Sequence, residues 1–176
     1  MENDFFLLRT PNNKTDISDL FEVKNNKETS KYLGGNTPTY SENDINNWID
    51  FHNNCENENL FVIQDKQNNK VIGHIGLYNI DLQVKSAEYA ILIGNNEYLG
   101  KGVGKQVTNL ILEYGFNELG LNRIYLSFIK ENLAAFNLYK KMGFKNEGCL
   151  RQAIFKNGVY YDSVIMSILK FEYEKK

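Results

Sequence analysis

The sequence predicts a mixed α/β domain in which helices pack on the faces of one central sheet. Two observations lead to this fold class. Short runs rich in Val, Ile, Leu and Phe come early in the chain, and strand and helix patterns alternate after them. The chain then ends on two strand patterns joined through an Asn-Gly pair, which is typical of a β-hairpin. No repeat, low-complexity tract or linker divides the chain, so we expect a single domain over residues 1–176.

The first half of the chain predicts three strands and two helices. The strands are at residues 5–9, 60–64 and 71–78, and the helices are at residues 16–23 and 41–51. The second helix begins with a capping-box pattern, in which Ser41 caps and Asp44 follows three residues later. Between the helices, residues 25–41 are rich in Asn, Lys, Gly and Thr and predict a long loop or a broken helix.

The second half alternates strands and helices before the terminal hairpin. Strands are predicted at residues 87–93, 122–130, 144–150 and 161–169. A helix after residue 102 is indicated by apolar residues at helical spacing, namely Val103, Val107, Leu110, Ile111 and Tyr114. A second helix covers residues 132–142, where Asn132 suits the N-cap and Gly143 suits the left-handed residue that ends a helix.

Composition excludes several functional classes. The formal net charge is −2 and the pI is near 5.8, so we expect neither nucleic acid nor an anionic membrane as the main partner. The N-terminus has no signal-peptide pattern and no apolar run is long enough to span a membrane, which predicts a cytoplasmic protein.

Histidine and cysteine are too sparse to form a recognisable metal site. His52 and His74 are joined by no motif, and Cys55 and Cys149 lack a companion at metal-ligand spacing. We expect no metal and reduced thiols, although a disulfide stays open. His74 lies in a predicted strand and is interpreted as a packed residue, with a catalytic base as the alternative.

The strongest chemical signal is a glycine loop between a strand and a helix. Gly100, Gly102 and Gly104 alternate, which places free backbone N–H groups at a positive helix end and predicts an anion site. GKGVGKQ is one residue too short for a Walker A loop and has Gln106 at its hydroxyl position. A dinucleotide fingerprint fails because Lys105 holds the third glycine position. A plain glycine turn that begins a helix stays open on the loop alone.

Two sequence segments, taken together and in their order along the chain, favour a cofactor site over a plain glycine turn. YLGKGVGKQV, followed by NLAAFNLYKKMGF, resembles the acetyl-coenzyme A site of the GNAT superfamily of N-acetyltransferases, and the likeness extends over residues 5–169. The resemblance implies a mixed, mostly antiparallel central sheet with helices on both faces. Leu99 departs from the family's usual Gln or Arg, which puts affinity in doubt more than identity, because the loop grips phosphate through backbone N–H groups.

The resemblance also implies a role for each residue of the site. The pyrophosphate of acetyl-CoA would lie on the loop, with added charge from two lysines: Leu99, Gly100, Lys101, Gly102, Val103, Gly104 and Lys105. The pantetheine arm would run beside Ile91, Leu92 and Ile93, and Asn132 would bind its amide. Tyr139 would protonate the departing thiolate, about 10 Å along the helix from Asn132. Glu88 is the candidate base, acting through water on an amine acceptor.

The acceptor itself is not determined by the sequence. Glu28, Glu42, Asp44 and Asp50 fall where the family commonly builds its acceptor pocket. We place a small amine or a protein α-amine first, and a nucleotide-linked amino sugar or a polyamine as alternatives. The modest net charge argues against a polyamine as first choice. A non-catalytic acyl-CoA-binding domain is the alternative from another class, and a homodimer stays open.

Overall fold

The computed structural model describes residues 1–33 and 39–175, which build one seven-stranded sheet flanked by helices. The strands are β1 (Phe6–Arg9), β2 (Asn59–Asp65), β3 (Val71–Asp81), β4 (Ser86–Ile93), β5 (Arg123–Ile129), β6 (Lys145–Lys156) and β7 (Val159–Leu169). The α-helices are α1 (Ile17–Asn25), α2 (Lys27–Ser30), α3 (Glu42–Asn53), α4 (Val103–Glu113), α5 (Leu133–Lys141) and α6 (Lys170–Tyr173). A short 3-10 helix covers Asn96–Tyr98, and α4 continues into a π-helical turn over Tyr114–Glu118.

The strand order is β1-β2-β3-β4-β5-β7-β6, and every described neighbour pair except β4 and β5 is antiparallel. Neighbouring residues of β2 point into different cores, because side chains alternate along a strand. Ile63 packs with residues of α4 and α5, whereas Val62 packs with residues of α1 and α3. The expected mixed, mostly antiparallel sheet with helices on both faces is therefore confirmed.

The parallel strands β4 and β5 pair over only part of their length, and they separate beyond it. β4 and β5 pair only at Ser86–Arg123, Ala87–Ile124 and Glu88–Tyr125. Beyond Glu88, β4 continues beside β3 as far as Ile93, while β5 continues beside β7 as far as Ile129. The two strands therefore diverge, and a V-shaped gap forms between them on the carboxyl side of Glu88.

Several local predictions are confirmed in detail. The Ser41 hydroxyl accepts from the Asp44 N–H at 3.2 Å, and the Asp44 carboxylate accepts from the Ser41 N–H at 2.8 Å, so the capping box begins α3. The β6–β7 turn has Asn157 at φ 50° and Gly158 at φ 84°, as a tight hairpin requires. The strands on either side run up to this turn and are longer than predicted.

The broken helix that the sequence allowed within residues 25–41 is present, because α1 ends at Asn25 and the short helix α2 follows it. α2 forms because the Asn26 side chain accepts from the N–H groups of Glu28 and Thr29, which caps a segment too short to show helical periodicity. Residues 34–38 lie outside the described part of the chain. Cys55 is half-buried and Cys149 is exposed, and both are free thiols.

A buried lysine lies on the α1/α3 face of the sheet. Lys24 is 8% exposed and its Nζ lies 4.0 Å from the centre of the Trp48 ring and 4.9 Å from that of Tyr40. Across residues 1–33 and 39–175, no carboxylate forms an ion pair with it. Burial alone lowers the pKa of Lys24 to about 8.

This pKa predicts a stability that depends on pH. Between about pH 8 and the ordinary lysine pKa, the unfolded chain binds a proton that the folded chain does not, so the free energy of unfolding rises with pH. Lys24→Met removes this rise and stabilises the protein at neutral pH, by up to about 3 kcal/mol. Urea denaturation, followed by the fluorescence of the single Trp, measures both effects. An unchanged pH dependence in Lys24→Met would contradict this assignment, and Lys14→Met serves as the exposed control.

Candidate active site

A cavity of about 420 Å³ lies beside the part of β4 that diverges from β5, and we call it the reaction cavity. One wall comes from β4, the glycine loop and α5, through Ile91, Leu92, Ile93, Leu99, Asn132, Ala134, Ala135, Leu138 and Tyr139. The other wall comes from α2 and the residues after it, through Glu28, Thr29, Lys31, Tyr32 and Leu33. Six of the site residues that the sequence predicted therefore line one cavity.

Tyr139 lines this cavity from the last turn of α5. Tyr139 is 7% exposed, and its ring packs edge-on against Tyr89, with ring centres 6.0 Å apart, and against Phe128, with centres 5.5 Å apart. Burial raises the pKa of Tyr139 to about 12. The phenol therefore stays protonated at any physiological pH, which is the state required of a proton donor.

The side-chain oxygen of Asn132 caps a helix, and its side-chain nitrogen is available for a ligand. Its Oδ1 accepts from the Ala135 N–H at 3.1 Å and caps α5, as the sequence predicted. Among the described residues, none accepts a hydrogen bond from its Nδ2. Because Asn132 also lines the reaction cavity, this Nδ2 can donate to a carbonyl of a bound molecule.

The diverging part of β4 offers backbone groups to the gap. Gly94 donates its N–H to Ile72 on β3 at 3.0 Å. Backbone groups of alternate strand residues point to opposite edges, so those of Ile91 and Ile93 point away from β3 and towards β5. Since β5 no longer pairs there, these groups are free to hold an extended chain with amide groups.

The two exposed glycines of the loop, Gly100 and Gly102, have backbone conformations that favour glycine. Gly100 has φ 74° and Gly102 has φ 79°, and a Cβ added to either would meet nothing within 4 Å. The space beside the loop is therefore open, and the first N–H groups of α4 have no partner inside the helix. These features fit a bound pyrophosphate.

The other loop residues lie in three different surroundings. A Cβ on Gly104 would lie 3.1 Å from Leu138 Cδ2, so the absence of a side chain here allows the close packing of α4 on α5 and leaves the Gly104 N–H as a candidate for the phosphate. Lys101 and Val103 line a different cavity of about 660 Å³, towards β1 and β2. Lys105 lines none of the cavities described. The two lysines stay candidates for charge near the phosphates.

Glu88 lies outside the reaction cavity. It occupies the last residue pair of β4 and β5, and its Oε2 accepts from Asn79 Nδ2 at 3.0 Å. Glu88 and Ile91 are separated by about 10 Å along an extended strand. A role as base therefore requires a chain of water molecules, as the sequence prediction assumed.

Of the four acids predicted near the acceptor, only Glu28 lines the reaction cavity. Its Oε2 accepts from Asn96 Nδ2 at 2.7 Å, which holds the carboxylate beside the end of β4. Asp44 is occupied by the capping box, and Asp50 accepts from Asn13 and Asn46. The sequence alone could not show which of these acids lines the cavity, because that depends on the position of α2 beside the gap.

The described residues contain no group of three or more His, Cys, Asp or Glu side chains arranged to hold a metal ion. No described helix has both the length and the apolar character needed to cross a membrane. His74 is packed against Trp48, with ring centres 5.0 Å apart, and neither of its ring nitrogens has a hydrogen-bond partner in the described chain. Burial lowers its pKa well below the usual value, so it stays neutral.

Known proteins resemble this chain in sequence and in fold. The sequence pattern of the GNAT acetyltransferase domain matches residues 6–145. A spermidine N(1)-acetyltransferase from Vibrio cholerae is 34% identical over 90% of both chains, and one from Escherichia coli is 30% identical over 93% of this chain and 86% of its own. The crystal structure of the Vibrio cholerae spermidine N-acetyltransferase with CoA and spermine has a TM-score of 0.87, at 32% identity, and covers 98% of this chain and 99% of its own. The chain belongs to the GNAT family of acetyltransferases.

Proposed function

We propose that the protein transfers the acetyl group of acetyl-CoA to the primary amine of a small molecule or of a protein N-terminus. The observation that carries this proposal is the reaction cavity, which brings the phenol of Tyr139 and the amide of Asn132 to the gap between β4 and β5. The loop from Leu99 to Gly104 would hold the pyrophosphate, and Lys101 and Lys105 would add charge. Ile91, Leu92, Ile93 and Asn132 would hold the pantetheine arm.

The bound thioester supplies an activated acetyl group, and the protein supplies position and protons. The amine must be neutral when its nitrogen forms a bond to the carbonyl carbon, so a carboxylate has to accept one proton. When the carbon–sulfur bond breaks, Tyr139 donates its phenolic proton to the sulfur, and the nitrogen loses its second proton, which restores the phenol and leaves a neutral amide. A backbone N–H of β4 beyond Glu88 faces the gap and can donate to the carbonyl oxygen as negative charge develops.

The proposal is tested by thiol release from acetyl-CoA with a panel of primary amines, together with mass measurement of the amine product. We expect one acetylated amine for each thiol released. Tight binding of acetyl-CoA without turnover of any amine would contradict the proposal and favour a domain that only binds acyl-CoA.

Two carboxylates, Glu28 and Glu88, are candidates for the base that removes a proton from the amine. Glu28 lines the reaction cavity, whereas Glu88 reaches it only through water. We expect Glu28→Gln to lower kcat/KM for the amine by about tenfold or more, and Glu88→Gln to lower it less. Steady-state kinetics as a function of pH measures both variants. A larger loss in Glu88→Gln would show that the base predicted from the sequence is the right one.

A polyamine is the second candidate acceptor, and the comparisons favour it. The relatives named above are spermidine N(1)-acetyltransferases and match this chain over nearly its whole length. Glu28 could bind an ammonium group in the reaction cavity. Spermidine therefore belongs in the amine panel, and a kcat/KM for spermidine far above those of monoamines would select this candidate.

A further inference from the structure

A second cavity, of about 510 Å³, lies beside the reaction cavity, and we call it the basic cavity. Lys27, Lys31 and Lys156 line it, and the remaining described residues of its lining are uncharged Asn, Thr and Tyr side chains. Lys31 lines both cavities, so the two are neighbours. A molecule bound in the reaction cavity can therefore extend towards three positive charges.

Lys156 is the most buried of the three, at 5% exposure. Its Nζ donates to the Ser30 carbonyl at 3.0 Å and to the Leu33 carbonyl at 2.7 Å. These two bonds stabilise the carboxyl end of α2, which favours a cation. An ammonium group has three donors, however, and no described carboxylate pairs with Lys156. A buried charge of this kind normally has an ionic partner.

Lys27 and Lys31 also lack an ion pair within residues 1–33 and 39–175. Residues 34–38, which follow this region in the chain, read GGNTP and contain no ionisable side chain that could neutralise it. The nearby carboxylate of Glu28 is held by Asn96 on the side of the reaction cavity. The Ser30 hydroxyl is buried and has no partner in the described chain, which leaves one more polar group unsatisfied near Lys156.

We propose that the basic cavity binds an anionic group of the acceptor, a phosphate or a carboxylate, so that the acceptor is an amine that also carries a negative charge. Glu28 would face its ammonium end, and the three lysines would face its anionic end. Lysine binds phosphate as a compact point charge, without the planar geometry that arginine imposes. A polycation would instead bring further positive charge towards three lysines that have no ionic partner.

The proposal rests on the acetyl-transfer function proposed above, and matched amines separate the two. Acetylation of 3-aminopropyl phosphate, 4-aminobutyrate, 1-aminobutane and 1,3-diaminopropane compares a phosphate, a carboxylate, a neutral end and a cationic end on similar chains. We expect kcat/KM for at least one anionic amine to exceed that for 1-aminobutane by on the order of tenfold. The two anionic amines distinguish a phosphate from a carboxylate.

Charge removal at the exposed lysines tests the assigned location. In Lys27→Gln/Lys31→Gln, the ratio of kcat/KM for the preferred anionic amine to that for 1-aminobutane should fall several-fold towards one. Lys14→Gln/Lys175→Gln removes the same charge elsewhere and should keep the ratio. Lys156 is left unchanged because its hydrogen bonds hold α2 in place.

The possible results have separate meanings. Equal or better turnover of 1-aminobutane, 1,3-diaminopropane or spermidine would overturn the anionic acceptor and leave the acetyltransferase function standing. A preference for anionic amines that survives in Lys27→Gln/Lys31→Gln would overturn the assignment to the basic cavity. Turnover of no amine at all would contradict the proposed function and this inference with it.

Discussion

Replacing Tyr139 by Phe lowers kcat for acetyl transfer by about 10²–10⁴-fold and leaves the affinity for acetyl-CoA nearly unchanged. The substitution removes the proton donor of the departing thiolate but keeps the ring that packs against Tyr89 and Phe128. No described residue hydrogen-bonds to the Tyr139 hydroxyl, so the fold should tolerate its loss. Thiol release gives kcat, and calorimetric titration gives the Kd of acetyl-CoA.

Tyr89→Phe is the matched control, because it removes a buried hydroxyl from the same aromatic cluster. The Tyr89 hydroxyl bonds to Thr108 Oγ1 at 2.8 Å, and we place no step of the reaction on it. Equal losses of kcat in both variants would contradict the role of Tyr139 as an acid.

The pH profile gives a further check on Tyr139. Since its pKa is raised to about 12, the phenol remains a donor through the ordinary assay range. The wild-type rate should therefore rise as the amine loses its proton and should show no decline from Tyr139 until close to that pKa.

Replacing Gly94 by Ala destabilises the protein and disturbs the wall of the reaction cavity. A Cβ at this position would lie 2.6 Å from both Cα and the carbonyl oxygen of Val23 on α1, which are backbone atoms that cannot turn aside. Forced overpacking of this kind costs about 1–3 kcal/mol or more, which corresponds to a Tm lower by roughly 5 °C. The Gly94 carbonyl also accepts from Asn26 Nδ2 at 2.7 Å, so α2 should shift and KM for the amine should rise.

Gly148→Ala is the control for this substitution. Its Cβ would meet nothing within 4 Å and its φ is not positive, so its Tm should stay close to that of the wild type. Differential scanning calorimetry compares the three proteins. A Gly94→Ala protein as stable as Gly148→Ala would show that α1 can move away from β4 at little cost.

Elements that depend on local chemistry could be predicted from the sequence. The capping box of Ser41 and Asp44 and the turn at Asn157 and Gly158 need only neighbouring residues, and both form as expected. The helices after the glycine loop and after Asn132 also follow from short-range spacing and caps. Such features follow from residues close together in the sequence and need no distant contact.

Features that depend on tertiary contacts could not be predicted. The gap between β4 and β5 arises because the pairing of these strands stops at Glu88. The spacing of apolar residues within a strand does not indicate where its pairing with a distant strand ends. α2 is four residues long and shows no apolar period, so its position beside the gap could not be predicted from the sequence. The position of Glu28, which lies on α2 and lines the reaction cavity, could not be predicted for the same reason. Lys156 joins the hairpin to α2 across more than a hundred residues. The close contact of Gly104 with Leu138 on α5 is likewise a tertiary contact that the sequence does not indicate.

The crystal structure of the protein with coenzyme A tests the central claim most directly. We predict that the pyrophosphate lies on the N–H groups of the loop from Leu99 to Gly104 and that the pantetheine arm lies between β4 and β5. Asn132 Nδ2 should donate to the arm, and the Tyr139 hydroxyl should lie within hydrogen-bond reach of the sulfur. Coenzyme A bound away from the gap, or a sulfur out of reach of Tyr139, would contradict the claim.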